Sequence, residues 1–251
     1  VGAVALTGVG VTFPIITIIS AFSGFASGGG APLAAIALGQ GDRKRAERIL
    51  GNCVSMLLFF TVILMAFFFV FQKPLLYVFG ASDNTIGYSS TYISIYLLGT
   101  VFVELAVGLN TFISAQGQAR TAMFSVLIGA VVNIVLDPIF IFVFHMGVAG
   151  AAVATIISQA LSAAWVLRFL CSEKSGIRLK KAGMKPDFFL IGQIMALGVS
   201  PFVMSATESA ITIVMNHGLQ VYGGDLYVGS MTILQSVLQL VFVPINGFTN
   251  G

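Results

Sequence analysis

Apolar runs of about twenty residues or more follow one another from residue 3 to residue 248, with only short polar stretches between them. A helix crosses the roughly 30 Å hydrocarbon core of a bilayer in about 20 residues, whereas a membrane strand needs only about ten. The runs therefore predict membrane-crossing helices and not a barrel of strands. Charged residues make up 8% of the chain and hydrophobic ones 57%, where a soluble domain carries about 25% charged residues. The expected fold class is all-α: a polytopic helical membrane protein with about seven spans, near 3–38, 51–71, 90–111, 121–144, 148–170, 188–219 and 226–248. The first run is long for one crossing and should tilt or bend. Pro14 and the glycine-rich stretch from Gly24 to Pro32 are its flexible points. Gly24-x-x-x-Gly28 suits close helix packing, with a gating bend as the alternative.

Loop charge sets the expected orientation, because short cytoplasmic loops concentrate Lys and Arg. The connections 39–50, 113–120 and 171–187, counted with Arg168, hold eleven of the twelve basic residues, and Lys73 alone lies on the other side. The three basic connections should be cytoplasmic. The formal net charge of +3 resides in these loops and does not point to nucleic acid. Cys53 and Cys171 fall near span ends and read as free thiols without a structural role. The chain opens on Val1, already in apolar sequence. With the charge asymmetry, that predicts an odd number of helices, most simply one, before it. Gly24-Phe-Ala-Ser-Gly28 is echoed by Gly247-Phe-Thr-Asn-Gly251. The echo lies six spans later and in the same orientation, as two parallel halves would have it. The second copy ends the chain, so a continuation beyond it is expected too.

Three acids lie inside spans: Glu104, Asp137 and Glu208. A carboxylate at membrane depth costs roughly 3 kcal/mol unless it is paired, hydrated or protonated. Asn133 precedes Asp137 by four residues, so both share one helix face. Pro138 has no N–H and clashes with the carbonyl of Ile134, so the helix should bend beside the acid. Asp137 and Thr155 each lie about seven residues, or ~10 Å, from the outer ends of neighbouring antiparallel spans. Thr155 can sit level with Asp137, as a ligand or merely beside the small-residue stripe Gly147, Ala151, Ala154, Ser158 and Ser162. Acid, amide and broken helix together predict a small-cation or proton site. Glu208, seven residues after the helix-kinking Pro201, is either a substrate contact or an acid facing a wet cavity. Gln235 and Gln239 face the same cavity or bond a neighbouring helix. Glu104 has no proline or amide one turn away and ranks below these. No nucleophile–base set, phosphate loop or metal-ligand spacing suggests an enzyme.

The run Gln116-Gly-Gln-Ala-Arg120-Thr-Ala-Met123, then Asn133-x-x-x-Asp137-Pro138, then Gly147-Val-Ala-Gly150-Ala-Ala-Val-Ala-Thr155-Ile-Ile-Ser158-Gln159, resembles the multidrug and toxic compound extrusion (MATE) family. Gly39-Gln-Gly-Asp42 and Tyr222-Gly-Gly-Asp225 share the likeness. The resemblance implies two six-helix lobes around a central cleft, exporting cationic or amphipathic small molecules in exchange for Na⁺ or H⁺. The seven spans would be helices two to eight. Residues 1–171 would be an N-terminal lobe lacking its first helix, 172–187 the cytoplasmic inter-lobe linker and 188–251 the start of the C-terminal lobe. The resemblance also implies that Asn133, Asp137 and Thr155 bind the coupling ion (Na⁺, if the protein is sodium-coupled). A fourth ligand, an aspartate on helix one, would lie outside this sequence. Another branch of the family uses a glutamate on helix seven, near Glu208, but the span that follows here has no acid beyond its first turn. No other cofactor is expected. The implied setting is the cell (inner) membrane, as a monomer in the bilayer. A lipid-linked-precursor flippase of the same superfamily and a channel or structural membrane protein are the competing readings. The flippase predicts basic residues inside the cavity.

Overall fold

The computed structural model describes residues 2–249, with side chains followed to Leu238 apart from that of Lys181. Among these residues the fold is helices alone: α1 Ala3–Gly10, α2 Phe13–Gly39, α3 Arg43–Val78, α4 Ile86–Leu98, α5 Thr100–Ala115, α6 Ala119–Pro138, α7 Gly147–Cys171 and α8 Phe188–Thr249. A π-helical turn, Ile139–Val143, follows α6, and a 3₁₀ turn, Lys181–Met184, precedes α8.

The seven crossings are all present, but their breaks fall elsewhere than expected. In the first run the chain turns at Val11 and Thr12, so Pro14 stands in the first turn of α2, where a proline loses no hydrogen bond. The glycine-rich stretch beyond it stays helical through Pro32. The basic connection 39–50 shrinks to a turn at 40–42, because the Asp42 side chain accepts from the Arg45 N–H at 2.9 Å and starts α3 there. At its other end α3 runs on through Pro74 to Val78. The third run bends by 61° between α4 and α5. Gly99 sits at that bend against the Ile156 side chain, where any Cβ would collide.

Residues 188–238 form one apolar helical stretch of 51 residues, about 75 Å at 1.5 Å per residue and too long for one crossing. Gly224, at φ 67° and ψ −166°, breaks it. Ahead of the break, Gly198 lies on Phe25 and the Ser209 hydroxyl donates to the Pro14 carbonyl at 3.1 Å, so that arm is antiparallel to α2. Beyond it, Gly229 lies on Thr7 and Gly10 on Thr232, so the second arm runs alongside α1 in the same direction. α8 is thus a hairpin of two spans. Asp225 holds its tip. Its backbone carbonyl accepts from Thr7 at 3.2 Å, and its carboxylate accepts from Gln220 at 3.1 Å and Asn84 at 3.5 Å. Pro201 does not break the helix, since backbone dihedrals stay helical on both sides of it. Its ring seats against Gly28.

Close packing between α2 and α8 rests on Gly28 and Gly29, and Gly24 meets no neighbour. Gly29 lies on the backbone of Ile194 and Gly198, and Gly198 on that of Phe25, so two helix backbones touch with no side chain between them. Cys53 is not an idle thiol at a span end. It is fully buried against Gly30 and donates to the Ala26 carbonyl at 3.4 Å, whereas Cys171 is exposed. One apolar core around Leu50, Cys53, Leu57 and Phe112 fills the half nearer the basic loops, and a second around Ile15, Ile19, Phe68 and Ile93 fills the other half. Phe59, Val62, Phe67 and Val70 of α3 point outward, as residues facing hydrocarbon do. The second copy of the Gly-Phe-x-x-Gly echo, at 247–251, extends beyond the described residues.

Segment 172–187 is not a free loop. The Arg43 guanidinium donates to the carbonyls of Gly176, at 2.6 Å, and Ser175, at 2.9 Å. The Gln116 side-chain oxygen accepts from the Ile177 N–H and the Ser175 hydroxyl, both at 3.0 Å. Lys180 pairs with Glu47 at 2.7 Å, and Asn52 accepts from the Asp187 N–H at 2.8 Å. The three basic connections therefore lie together on one face of the molecule.

Candidate functional site

α6 carries Asn133 and Asp137 one turn apart, and the Asn133 amide donates to the Asp137 carboxylate at 3.3 Å. Pro138, the next residue, supplies no N–H, and the chain beyond it widens into the π-helical turn. The bend expected at the proline is therefore a change of helix type directly after the acid. His145 (φ 53°) and Gly147 (φ 55°) then reverse the chain into α7. Gly150 on α7 lies against Phe140, so Thr155, five residues further along, comes level with the segment 133–137.

The structure brings the three expected residues into one neighbourhood. Asn133 and Thr155 line a cavity of about 520 Å³ between α5, α6 and α7, whose other polar walls include Asn110, Ser125, Ser158 and Gln159. Asp137 reaches this group through Asn133. All three are half-buried. The Thr155 hydroxyl donates to the Ala151 carbonyl at 2.9 Å, which leaves its lone pairs for another partner. Ser158 and Ser162, in the small-residue stripe, are buried, and the Ser162 hydroxyl donates to the Ser125 carbonyl at 2.6 Å. Thr155 itself stands beside that stripe and open to the cavity.

One member of this cluster was missed by reading the sequence. Tyr92 of α4 is buried, with its hydroxyl on the side of Thr155. Its ring stacks on Tyr96, one turn later, at a centroid distance of 6.2 Å. Only the fold shows that the bent third crossing leans on α7 at this height. A carboxylate and an amide of α6 and a hydroxyl of α7 thus lie in one neighbourhood among apolar helices. Hard oxygen atoms around one negative charge suit a proton or a small cation.

The other candidates stand apart. Glu208 and Gln235 do not line this cavity; Glu208 is exposed on the first arm of α8 and Gln235 is half-buried on the second. Gln239 lies outside the described side chains.

A bundle of long apolar helices with an acid beside a broken helix is the architecture of a polytopic membrane protein. The model of the MatE family matches residues 1–139. The chain belongs to the MATE family. It is 26% identical over 246 residues to the multidrug export protein MepA of Staphylococcus haemolyticus, covering 98% of this chain and 54% of that protein. It is 28% identical over 181 residues to MepA of Staphylococcus aureus, covering 72% and 40%. Among solved structures, a ligand complex of the MATE multidrug transporter DinF-BH superposes with a TM-score of 0.94 at 33% identity, over all of this chain and 56% of that one. The inward-facing form of a multidrug resistance MATE transporter of the MOP superfamily shares the fold, at 0.91 and 24% identity over 97% and 56%. The chain spans about half the length of the relatives it matches.

Proposed function

We propose that this chain belongs to a secondary multidrug exporter that moves cationic or amphipathic molecules out of the cell by antiport with H⁺ or Na⁺. The observation that carries the reading is the Asn133–Asp137 pair, with Thr155 and Tyr92 beside it, inside an otherwise apolar helical slab. A lone acid there destabilises the fold unless charge is neutralised. Proton and cation are then alternative neutralisers of one carboxylate, so each excludes the other. Binding shifts the balance between outward- and inward-open arrangements of two lobes, and the gradient of the ion drives the substrate. Residues 1–171 form part of one lobe, 172–187 the linker and 188–251 the start of the other. Glu208, Gln235 and Gln239 contribute to the substrate cleft. The protein acts as a monomer in the cell (inner) membrane, with the basic connections on the cytoplasmic side.

The flippase reading is less well supported, because among the described residues neither lysine nor arginine lines the cavity between α5, α6 and α7. The deciding experiment measures drug efflux from proteoliposomes containing the full-length protein, under an imposed Na⁺ or pH gradient. Wild type is expected to respond to one gradient, and Asp137→Asn to lose that response while remaining folded. Efflux in the wild type that ignores both gradients would reject antiport.

A further inference from the structure

The most deeply buried acid of the chain is not Asp137 but Glu104 of α5, at 0% exposure. Neither of its carboxylate oxygens has a hydrogen-bond partner. Three buried hydroxyls, those of Ser23, Thr61 and Thr100, likewise have none. Elsewhere in the chain Thr7, Ser55, Thr155 and Thr207 each bond the carbonyl four residues back. These three hydroxyls do not, and so they remain free to serve another group.

The register of the helices brings them together. Gly30 of α2 touches Cys53 of α3 and Phe112 of α5. Two turns away from that contact, all in the direction leading off the basic face, lie Ser23 on α2, Thr61 on α3 and Glu104 on α5. Gly108 against Leu57 confirms the alignment of α5 with α3. Thr100 is one turn from Glu104 on the same face of α5. Ser23 faces the carboxylate without reaching hydrogen-bonding geometry. Tyr96 of α4 faces it from the other side of the bend and is the titratable neighbour. Tyr92, stacked on Tyr96, leads on to Asp137.

We propose that Glu104, with Ser23, Thr61 and Thr100, is a second monovalent-cation site, taking a proton or Na⁺, and that the Tyr96–Tyr92 pair connects it to Asp137. One carboxylate and three hydroxyls, brought to one level by the helix register with no nitrogen or sulfur among them, suit a hard cation. One negative charge is balanced by one positive charge, whereas a divalent ion would leave an uncompensated charge in the interior. Ion binding at Glu104 is independent of the antiport reading; only its link to Asp137 rests on that reading.

The test uses the full-length protein in detergent. Infrared difference spectra are recorded for a pH step with and without Na⁺, together with thermal midpoints over a Na⁺ titration. If the ion is a proton, Glu104→Gln removes one protonated-carboxyl band that Asp137→Asn retains. If it is Na⁺, Glu104→Gln removes a Na⁺-dependent rise in midpoint that Asp137→Asn retains. Glutamine has the shape of the neutral acid, so the variant should fold. Thr61→Val, which keeps the acid, provides a second measurement and should displace the band or weaken the Na⁺ midpoint at least threefold. Spectra and Na⁺ midpoints identical to wild type in whichever of these two variants folds would overturn the proposal. Neither readout requires transport, so this site and the Asp137 mechanism can fail separately.

Discussion

At the scale of single residues, the candidate site turns on which oxygen atoms remain available to an ion. The Asp137 carboxylate already accepts from Asn133, so its charge is partly compensated without a cation. Replacing Asp137 with Asn is expected to lower gradient-driven efflux at least tenfold, about 1.4 kcal/mol in coupling. A thermal midpoint within a few degrees of wild type in detergent would show that the fold survives. Tyr92→Phe removes only the hydroxyl beside Thr155. If that hydroxyl serves the ion site with one polar contact, at about 0.5–1.5 kcal/mol, the variant should shift the half-saturating ion concentration by about two- to tenfold and leave the maximal rate intact. An unchanged half-saturation would remove Tyr92 from the site.

At the scale of elements, the contact of α2 with α8 is set by missing side chains. A Cβ on Gly29 would collide with the Ile194 carbonyl, and one on Gly198 with the Phe25 carbonyl, neither of which can move like a flexible side chain. Gly29→Ala and Gly198→Ala should each destabilise by about 1–3 kcal/mol, the range for overpacking. Gly24→Ala, with no atom within 4 Å, should stay within about 0.5 kcal/mol of wild type. Thermal unfolding of the three variants in one detergent checks the ranking. If Gly24→Ala were as damaging as the others, the close contact would lie elsewhere on α2. Sequence spacing identified a small-residue helix here but not its contact face, since a glycine pattern does not say which neighbour it meets.

At the scale of the whole molecule, segment 172–187 ties α3, the α5–α6 turn and α7 to the start of α8. Gln116 accepts two of its hydrogen bonds with a single oxygen. Gln116→Ala leaves the Ile177 N–H without that acceptor, while the Ser175 hydroxyl keeps the Ile177 carbonyl at 2.6 Å. Losing about 1–2 kcal/mol of local stability should make the segment open about tenfold more often. Trypsin cleavage at Lys174, Arg178 or Lys180 should then accelerate by a similar factor. Cleavage at the wild-type rate would mean that Arg43 and Asn52 hold the segment without Gln116.

Much of this protein was legible in one dimension because the bilayer imposes a length and a polarity on each helix. Seven crossings, the clustering of the basic connections on one face, and Asn133 one turn from Asp137 all depend on local spacing along a single helix. Thr155 was legible for the same reason, through the tight turn joining its helix to that of Asp137. The tertiary structure decided what depends on the pairing of distant helices. It placed Tyr92 beside Thr155, buried Cys53 under Gly30, put the hairpin break at Gly224 and directed Gly29 onto Gly198. Glu104 shows the difference most clearly. Its own helix offers only Thr100 as a neighbour, and the other two hydroxyls of the proposed site come from α2 and α3, whose register is set by side-chain packing and not by any pattern within one span.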